Sequence, residues 1–308
     1  MGTPAFAVPI LDSICKKHEV VLVVTQPDSY NIKKKKEVYS EVKEYALEHN
    51  LPIFQPEKIR LDHQRILDLD VDLIVTAAYG QIIPNDLLEH PKYKAINVHG
   101  SILPKYRGGA PIQRAIINGE SETGITIMYM APKMDAGDII RIVKLPILDT
   151  DNQDTVFEKL SKIGSSIINN CIDDIQNGKI NPIKQDESQV TYAYNLTKDD
   201  ELINFNKTAR EVFNQIRGLN TNPGAFFKLD NLNIKVLNSK VSQTKTTENP
   251  GVVCGINKDS FDVACKDGSV ISILEVKVPS KNKMLVRDFM NGQGKKMITI
   301  GKKLNEEI

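Results

Sequence analysis

The chain has 308 residues, enough for two domains that each bury a core. Its 41% apolar and 26% charged content is that of an ordinary soluble protein, and a net charge of +1 gives the chain as a whole no nucleic-acid signature. No apolar run approaches the roughly 20 residues of a membrane span, and Met1-Gly2-Thr3-Pro4 has no basic region ahead of an apolar stretch, so the sequence predicts no membrane segment, no signal peptide and a cytoplasmic location.

In chain order, Val20-Val21-Leu22-Val23-Val24 is short and β-branched and ends at Thr25-Gln26-Pro27-Asp28, which predicts a buried strand entering a turn. Val42 to His49 has helical spacing, with Asn50 as its stop. Leu73 to Ala78 reads as a second buried strand closed by Tyr79-Gly80, and Ala95 to His99 as a third that breaks at Gly100. Pro111 to Asn118 suits a helix and Gly124 to Met130 a strand. This alternation predicts an α/β domain with a doubly wound parallel sheet, whose ligands bind at the carboxyl ends of its strands. Thr155 to Asn177 is a long amphipathic helix, followed by a polar segment without periodicity. Beyond a helix at Ala209 to Arg217 come short strands at Ile234–Val236, Gly251–Val253, Phe261–Ala264 and Val270–Leu274, with a hairpin-like turn at Lys266-Asp267-Gly268-Ser269. Many short strands predict a small β-barrel. The expected division is therefore a first domain over 1–184, a linker over 185–200 and a second domain over 201–308.

Cys15, Cys171, Cys254 and Cys265 lie far apart without CxxC spacing, and no histidine clusters with cysteine or acidic residues at metal-ligand spacing. Buried free thiols and no metal are expected. Two stretches are basic: Lys33-Lys34-Lys35-Lys36, and Lys281 to Ile308 with seven basic residues against three acidic. On charge alone both read as solvated faces.

The densest polar constellation is Asn97-Val98-His99-Gly100, continued by Ser101-Ile102-Leu103-Pro104-Lys105-Tyr106-Arg107-Gly108-Gly109. Alternation along a strand puts Asn97 and His99 on one face, near the carboxyl end. An amide and an imidazole there can both donate to an oxyanion, and the imidazole can move a proton. Spacing alone leaves open that these are two polar residues at an ordinary strand end. A second cluster, Met134-Asp135-Ala136-Gly137-Asp138, follows the strand that ends at Met130. Asp135 could orient His99, although Asp-x-Gly is also a common turn.

Asn97, His99 and Asp135, with Ser101 to Pro104 and Arg107-Gly108, resemble the folate-dependent formyltransferase family. The string from Asn97 through Ala110-Pro111-Ile112-Gln113-Arg114 is similar to the members that formylate methionyl-tRNA, as are Gly2-Thr3-Pro4, Thr25 to Asp28, Ala78-Tyr79-Gly80, Glu122 to Met128, Val190 to Ala193, Pro223-Gly224-Ala225 and Asp288-Phe289. The resemblance implies a Rossmann-like catalytic domain followed by a small OB-like barrel that helps hold tRNA. It implies 10-formyltetrahydrofolate as formyl donor, initiator methionyl-tRNA as acceptor, and a monomer. Carried over by position, Asn97, His99 and Asp135 form the catalytic trio. Ser101, Ile102, Leu103 and Pro104 line the folate site with Ala77, Ala78, Tyr79 and Gly80, and Lys33, Lys34, Lys35 and Lys36 contact tRNA.

Three features depart from the family pattern. Members open with a short apolar strand ahead of Gly-Thr-Pro, which leads us to expect about five mainly apolar residues before Met1 in the native protein. The loop after Asp28 has Ser29-Tyr30-Asn31-Ile32 where members carry Arg-Pro and Gly-Arg-Gly, so it keeps positive charge and loses guanidinium forks. Asn220-Thr221-Asn222-Pro223 replaces Asn-Pro-Trp-Pro in a chain with no Trp. Two competitors are a formyltransferase acting on a nucleotide-linked amino sugar, and a non-catalytic RNA-binding protein that kept the fold.

Overall fold

The computed structural model describes residues 1–31 and 35–306. The chain groups into two compact units. The first comprises Met1–Pro111, Glu122–Pro146 and Val156–Tyr194; the second comprises Ile112–Ser121, Ile147–Thr155 and Asn195–Ile308.

The first unit is mixed α/β. Its strands are β1 (Val23–Val24), β2 (Ser29–Asn31), β3 (Lys36–Val38), β4 (Ile53–Phe54), β5 (Ile74–Thr76), β6 (Ala95–His99), β7 (Glu122–Tyr129) and β8 (Ile139–Pro146). β1 pairs with β4 in parallel, β2 and β3 form an antiparallel hairpin, and β5-β6-β7-β8 make a four-stranded sheet. Only β5 and β6 are parallel in that sheet; β7 and β8 are antiparallel. The expected doubly wound parallel sheet is thus a mixed one. An interior strand is apolar whichever way it runs, so Glu122 to Tyr129 carried no sign of its direction. Residues 20–22, expected to begin the first strand, lie outside β1. Gly2 joins the two sheets: its N–H donates to Val24 O at 3.0 Å, and it bridges Ala77 in parallel.

Two helices of this unit show how the sequence sets them. Glu41–Glu48 starts at Ser40, whose hydroxyl accepts from Lys43 N at 3.1 Å. The long helix Gln153–Gln176 buries Val156, Leu160, Gly164, Ile168 and Cys171 along one face. Gly164 allows a close approach: a Cβ there would lie 3.1 Å from Ile10 Cδ1 and 3.2 Å from Val98 Cγ1. Val98 therefore points at the helix. By strand alternation its neighbours Asn97 and His99 point to the opposite face of the sheet.

The second unit holds β9 (Phe226–Leu229), β10 (Leu232–Val241), β11 (Val253–Ile256), β12 (Phe261–Ala264), β13 (Val270–Lys277) and β14 (Met284–Leu285). They form one antiparallel sheet in the order β11-β12-β13-β10-β9, with β14 added to β13, curled as a half-barrel. Register shifts between β10 and β13 around Asn238 mark a bulge that bends the ladder. The β12–β13 turn has positive φ at Asp267 (58°) and Gly268 (66°), the turn anticipated from Asp-Gly. Helix Ala209–Leu219 starts in a Thr208/Glu211 capping box and buries Ala209, Val212, Ile216 and Leu219 in the same core as Phe227 and Phe261, whose rings meet edge-on at 6.1 Å. Each of the larger of these side chains, Val212, Ile216, Leu219, Phe227 and Phe261, contributes about 1.5–3 kcal/mol by its burial.

All four cysteines are free; Cys171 and Cys265 are buried, as expected, whereas Cys15 and Cys254 are only half-buried. Among the described residues no three His, Cys, Asp or Glu side chains group as metal ligands, and no helix is long and apolar enough to cross a membrane.

Candidate active site

Asn97 and His99 sit two residues apart at the carboxyl end of β6. Across the parallel ladder Thr76 is the partner of Asn97. The Thr76 hydroxyl, 2% exposed, lies 2.8 Å from Asn97 Oδ1 and can donate to it. An amide whose oxygen is taken presents its NH2 on the other side. Asn97 is thus set as a hydrogen-bond donor, with its side chain partly open to solvent.

His99 is buried, 6% exposed, and its Nε2 lies 2.9 Å from the Tyr106 carbonyl. A carbonyl only accepts, so Nε2 carries the proton in that contact. The other ring nitrogen, Nδ1, faces Asp135 Oδ2 at 3.8 Å. Asp135 thus faces the imidazole without closing on it. At that distance there is no hydrogen bond; the Tyr106 carbonyl holds the ring. Asp135 Oδ2 accepts from Gly108 N–H at 2.8 Å, so one short loop, Tyr106 to Gly108, secures both side chains.

The Asp135 loop is tightly constrained. Asp135 has φ of 48°, and a Cβ on Gly137 would lie 1.8 Å from the Tyr129 carbonyl, so only glycine fits there. Gln185 Nε2 donates to the carbonyls of Asp135 and Gly137, both at 2.8 Å, and Gln185 Oε1 accepts from Arg107. Arg107 is fully buried and also pairs with Glu187 at 2.8 Å. Arg107 and Lys133 together hold the Glu187 carboxyl down at about 2.

The residues expected to line a folate site fall in two turns. Ala77 to Gly80 directly follow Thr76; Ala78 and Gly80 are exposed with positive φ (49° and 86°), while Ala77 and Tyr79 are buried. The Tyr79 carbonyl is already taken by Thr3 Oγ1 and Gln26 Nε2, and burial pushes the Tyr79 hydroxyl up to about 12. Ser101 to Pro104 directly follow the carboxyl end of β6. Thr126, fully buried, donates to Ser101 O at 2.6 Å and accepts from Leu103 N at 3.2 Å, and Ser101 Oγ donates to Lys105 O at 2.7 Å. Leu103 is buried with Met128 and Ile139, which leaves Ile102 and Pro104 as the partly open side chains of the turn. Of the basic block, Lys33 and Lys34 lie outside the described residues; Lys35 and Lys36 are exposed on the β2–β3 hairpin.

Thr76, Tyr106, Thr126 and Gln185 were not singled out as site residues in the sequence. Thr76 sits inside an apolar run, and Gln185 in a segment without periodicity, so neither pattern marked them.

Two family models match the chain: "Formyl transferase" over residues 1–172 and "Formyl transferase, C-terminal domain" over residues 195–294. A methionyl-tRNA formyltransferase from Listeria innocua is 44% identical over 299 residues, covering 96% of each chain. One from Staphylococcus aureus is 42% identical over 306 residues, covering 99% of this chain and 98% of its own. Among solved structures, an N-formyltransferase from Helicobacter canadensis, in complex with folinic acid and dTDP-3-aminofucose, superposes with a TM-score of 0.69 at 22% identity, over 88% of this chain and 96% of that one. That last likeness is one of fold. With both family models matched in order and relatives above 40% identity along nearly the whole length, the chain belongs to the formyl transferase family.

Proposed function

We propose that the chain transfers the formyl group of 10-formyltetrahydrofolate to the amino group of initiator methionyl-tRNA, giving formylmethionyl-tRNA for translation initiation. The observation that carries this reading is the 44% identity over 96% of both chains to a protein named for that reaction.

The residues present suit such a donor. A pterin is flat, with a donor-and-acceptor edge, and the exposed residues Ala78 and Gly80, one and three beyond Ala77, offer both kinds of backbone group. Ile102 and Pro104 offer apolar surface beside it. When bound, the formyl-folate supplies an activated one-carbon carbonyl group to an amine. Asn97 donates through Nδ2 to the charge that develops on the carbonyl oxygen, the kind of donor worth roughly 3–4 kcal/mol in a preorganised site. His99 places Nδ1 at the same strand end, opposite Asp135. The Asp135 carboxylate would accept the proton that the attacking amine loses and, with His99, pass it to the folate nitrogen that departs as its bond to the formyl carbon breaks.

We assign catalysis to the first expected domain, 1–184, and tRNA holding to the second, 201–308, joined through 185–200. Lys33 to Lys36 add phosphate contacts. In this reading the first unit is a Rossmann-like variant, the curled antiparallel sheet serves as the OB-like barrel, and the protein works as a monomer in the cytoplasm.

The test is transfer of labelled formyl from 10-formyltetrahydrofolate to methionyl-tRNA, to nucleotide-linked amino sugars and to no acceptor. Transfer to methionyl-tRNA alone is expected. Transfer to an amino sugar instead would overturn the acceptor, and no transfer at all would overturn the enzyme.

A further inference from the structure

We propose that Gln185 is a positioning residue for Asp135: its buried amide, clamped by Arg107, sets the loop that carries the carboxylate to His99. The proposal rests on the reading of Asp135 as part of the reacting centre.

The amide can sit only one way round. Its Oε1 meets donors alone, Arg107 Nε at 3.1 Å and Nη2 at 2.8 Å. Its Nε2 meets the carbonyls of Asp135 and Gly137, both at 2.8 Å. Turned over, the oxygen would face two carbonyls and the NH2 would face a guanidinium, which has no acceptor. Gln185 is 9% exposed and Arg107 fully buried, so water does not readily replace either set of contacts.

The loop it grips is one that needs holding. Asp135 sits at φ 48°, which non-glycine residues seldom adopt, and the chain then passes Tyr129 O at a distance only Gly137 allows. Gln185 takes the backbone carbonyl of Asp135 and leaves its carboxylate to Gly108 N–H and to His99. Arg107 and Gly108 therefore reach Asp135 by two routes, one to its carboxylate and one through Gln185 to its backbone. Arg107 is itself fixed at both peptide groups, its N–H donating to Thr191 O at 2.9 Å and its carbonyl accepting from Ala193 N at 2.7 Å. Since Tyr106 O holds His99, a shift of the Asp135 loop changes the 3.8 Å spacing between imidazole and carboxylate without moving the imidazole.

The experiment compares Gln185→Glu and Gln185→Met, alone and combined with Asp135→Asn, by kcat and KM for methionyl-tRNA and by thermal melts. Gln185→Glu keeps the oxygen that accepts both Arg107 N–H groups and turns its other oxygen on the Asp135 and Gly137 carbonyls. Gln185→Met removes all four hydrogen bonds. Both are expected to lower kcat by about 10- to 100-fold, as a misplacement near 1 Å does, with KM within about threefold. In the Asp135→Asn background the further loss should be less than about twofold, because residues that act as a unit are not additive. A role limited to accepting from Arg107 would leave Gln185→Glu near wild type, and that result overturns the proposal. So does a kcat loss of equal factor in both backgrounds. If Gln185→Met does not fold, Gln185→Glu decides alone. Full turnover in Asp135→Asn by itself would sink the reading of Asp135, and the proposal with it.

Discussion

The Thr76 hydroxyl, 2.8 Å from Asn97 Oδ1, turns the Asn97 amide so that its NH2 can donate to a developing oxyanion. Thr76→Val keeps the shape and removes the hydroxyl, which frees the amide to turn over. It should lower kcat by about tenfold, less than the loss of a whole donor, with KM unchanged, and Thr76→Ser should restore most of the rate. A Thr76→Val enzyme at full rate would mean that Asn97 is oriented by something else. His99→Ala should lose about 100-fold or more of kcat while keeping folate affinity within a small factor; it is checked by single-turnover formyl transfer beside a folate titration, and near-normal turnover would remove His99 from the trio. The sequence made Asn97 and His99 visible because strand alternation puts i and i+2 on one face. Thr76 was not visible, because its hydroxyl meets Asn97 across a strand pairing between residues 21 apart in the chain. The 3.8 Å gap at Asp135 was equally invisible, because no spacing rule encodes which carbonyl an imidazole chooses.

Among the elements, β1 and β5 are the pair the sequence described least well. Between them lies a cavity of about 510 Å³ lined by Leu11, Ile14, Val21, Val23, Leu73 and Val75. Met1 and Gly2 close one end: Ala77 N donates to Met1 O at 3.0 Å, and the Met1 amino group donates to Val75 O at 2.7 Å. Burial lowers that amino group from 8.0 to about 5. Between about pH 5 and 8 the unfolded chain then binds more protons there than the folded one, so this group makes stability rise with pH across that window. An extension such as Met-Lys-Ile-Ile-Phe ahead of Met1 converts the amine to an amide and supplies apolar side chains to the cavity. It should raise the Tm, by about 2–4 °C per kcal/mol for a protein of this size, and flatten the pH 5–8 slope. Thermal melts at pH 5.5 and 8 check both, and equal values for the two chains would contradict the account. In the second unit, Arg114 on helix Pro111–Ile117 pairs with Asp200 at 2.6 Å and holds its carboxyl at about 2. A depressed carboxylate stabilises above its unfolded pKa near 4 and loses that contribution as pH falls toward 2. The pair is about one-quarter exposed, so its worth is about 1–2 kcal/mol. Arg114→Ala should cost that much at pH 7 and less at pH 2, where the hydrogen bond to Asn195 O remains, read from urea midpoints.

At the scale of the whole molecule the alternating first half and the strand-rich second half were legible, because helix and strand periods differ and Gly and Asn mark the ends. The antiparallel direction of β7 and β8 was not, nor was the passage of residues 112–121 and 147–155 into the second unit, since grouping of that kind depends on which faces meet. Charge belongs to this scale too. Replacing Lys33, Lys34, Lys35 and Lys36 with serine should weaken tRNA binding and lower the slope of log K against log salt by roughly 0.7–0.9 for each phosphate no longer neutralised. An unchanged slope would show these lysines to be a solvated surface. The central claim, that this chain formylates the amino group of methionyl-tRNA through Asn97, His99 and Asp135, is tested most directly by one time course. Purified chain, labelled 10-formyltetrahydrofolate and methionyl-tRNA are mixed, with the His99→Ala variant and a nucleotide-linked amino sugar run alongside. The account predicts label in the tRNA with wild type, little with His99→Ala, and none in the sugar. Label in the sugar alone, or equal label in tRNA from wild type and His99→Ala, would contradict it.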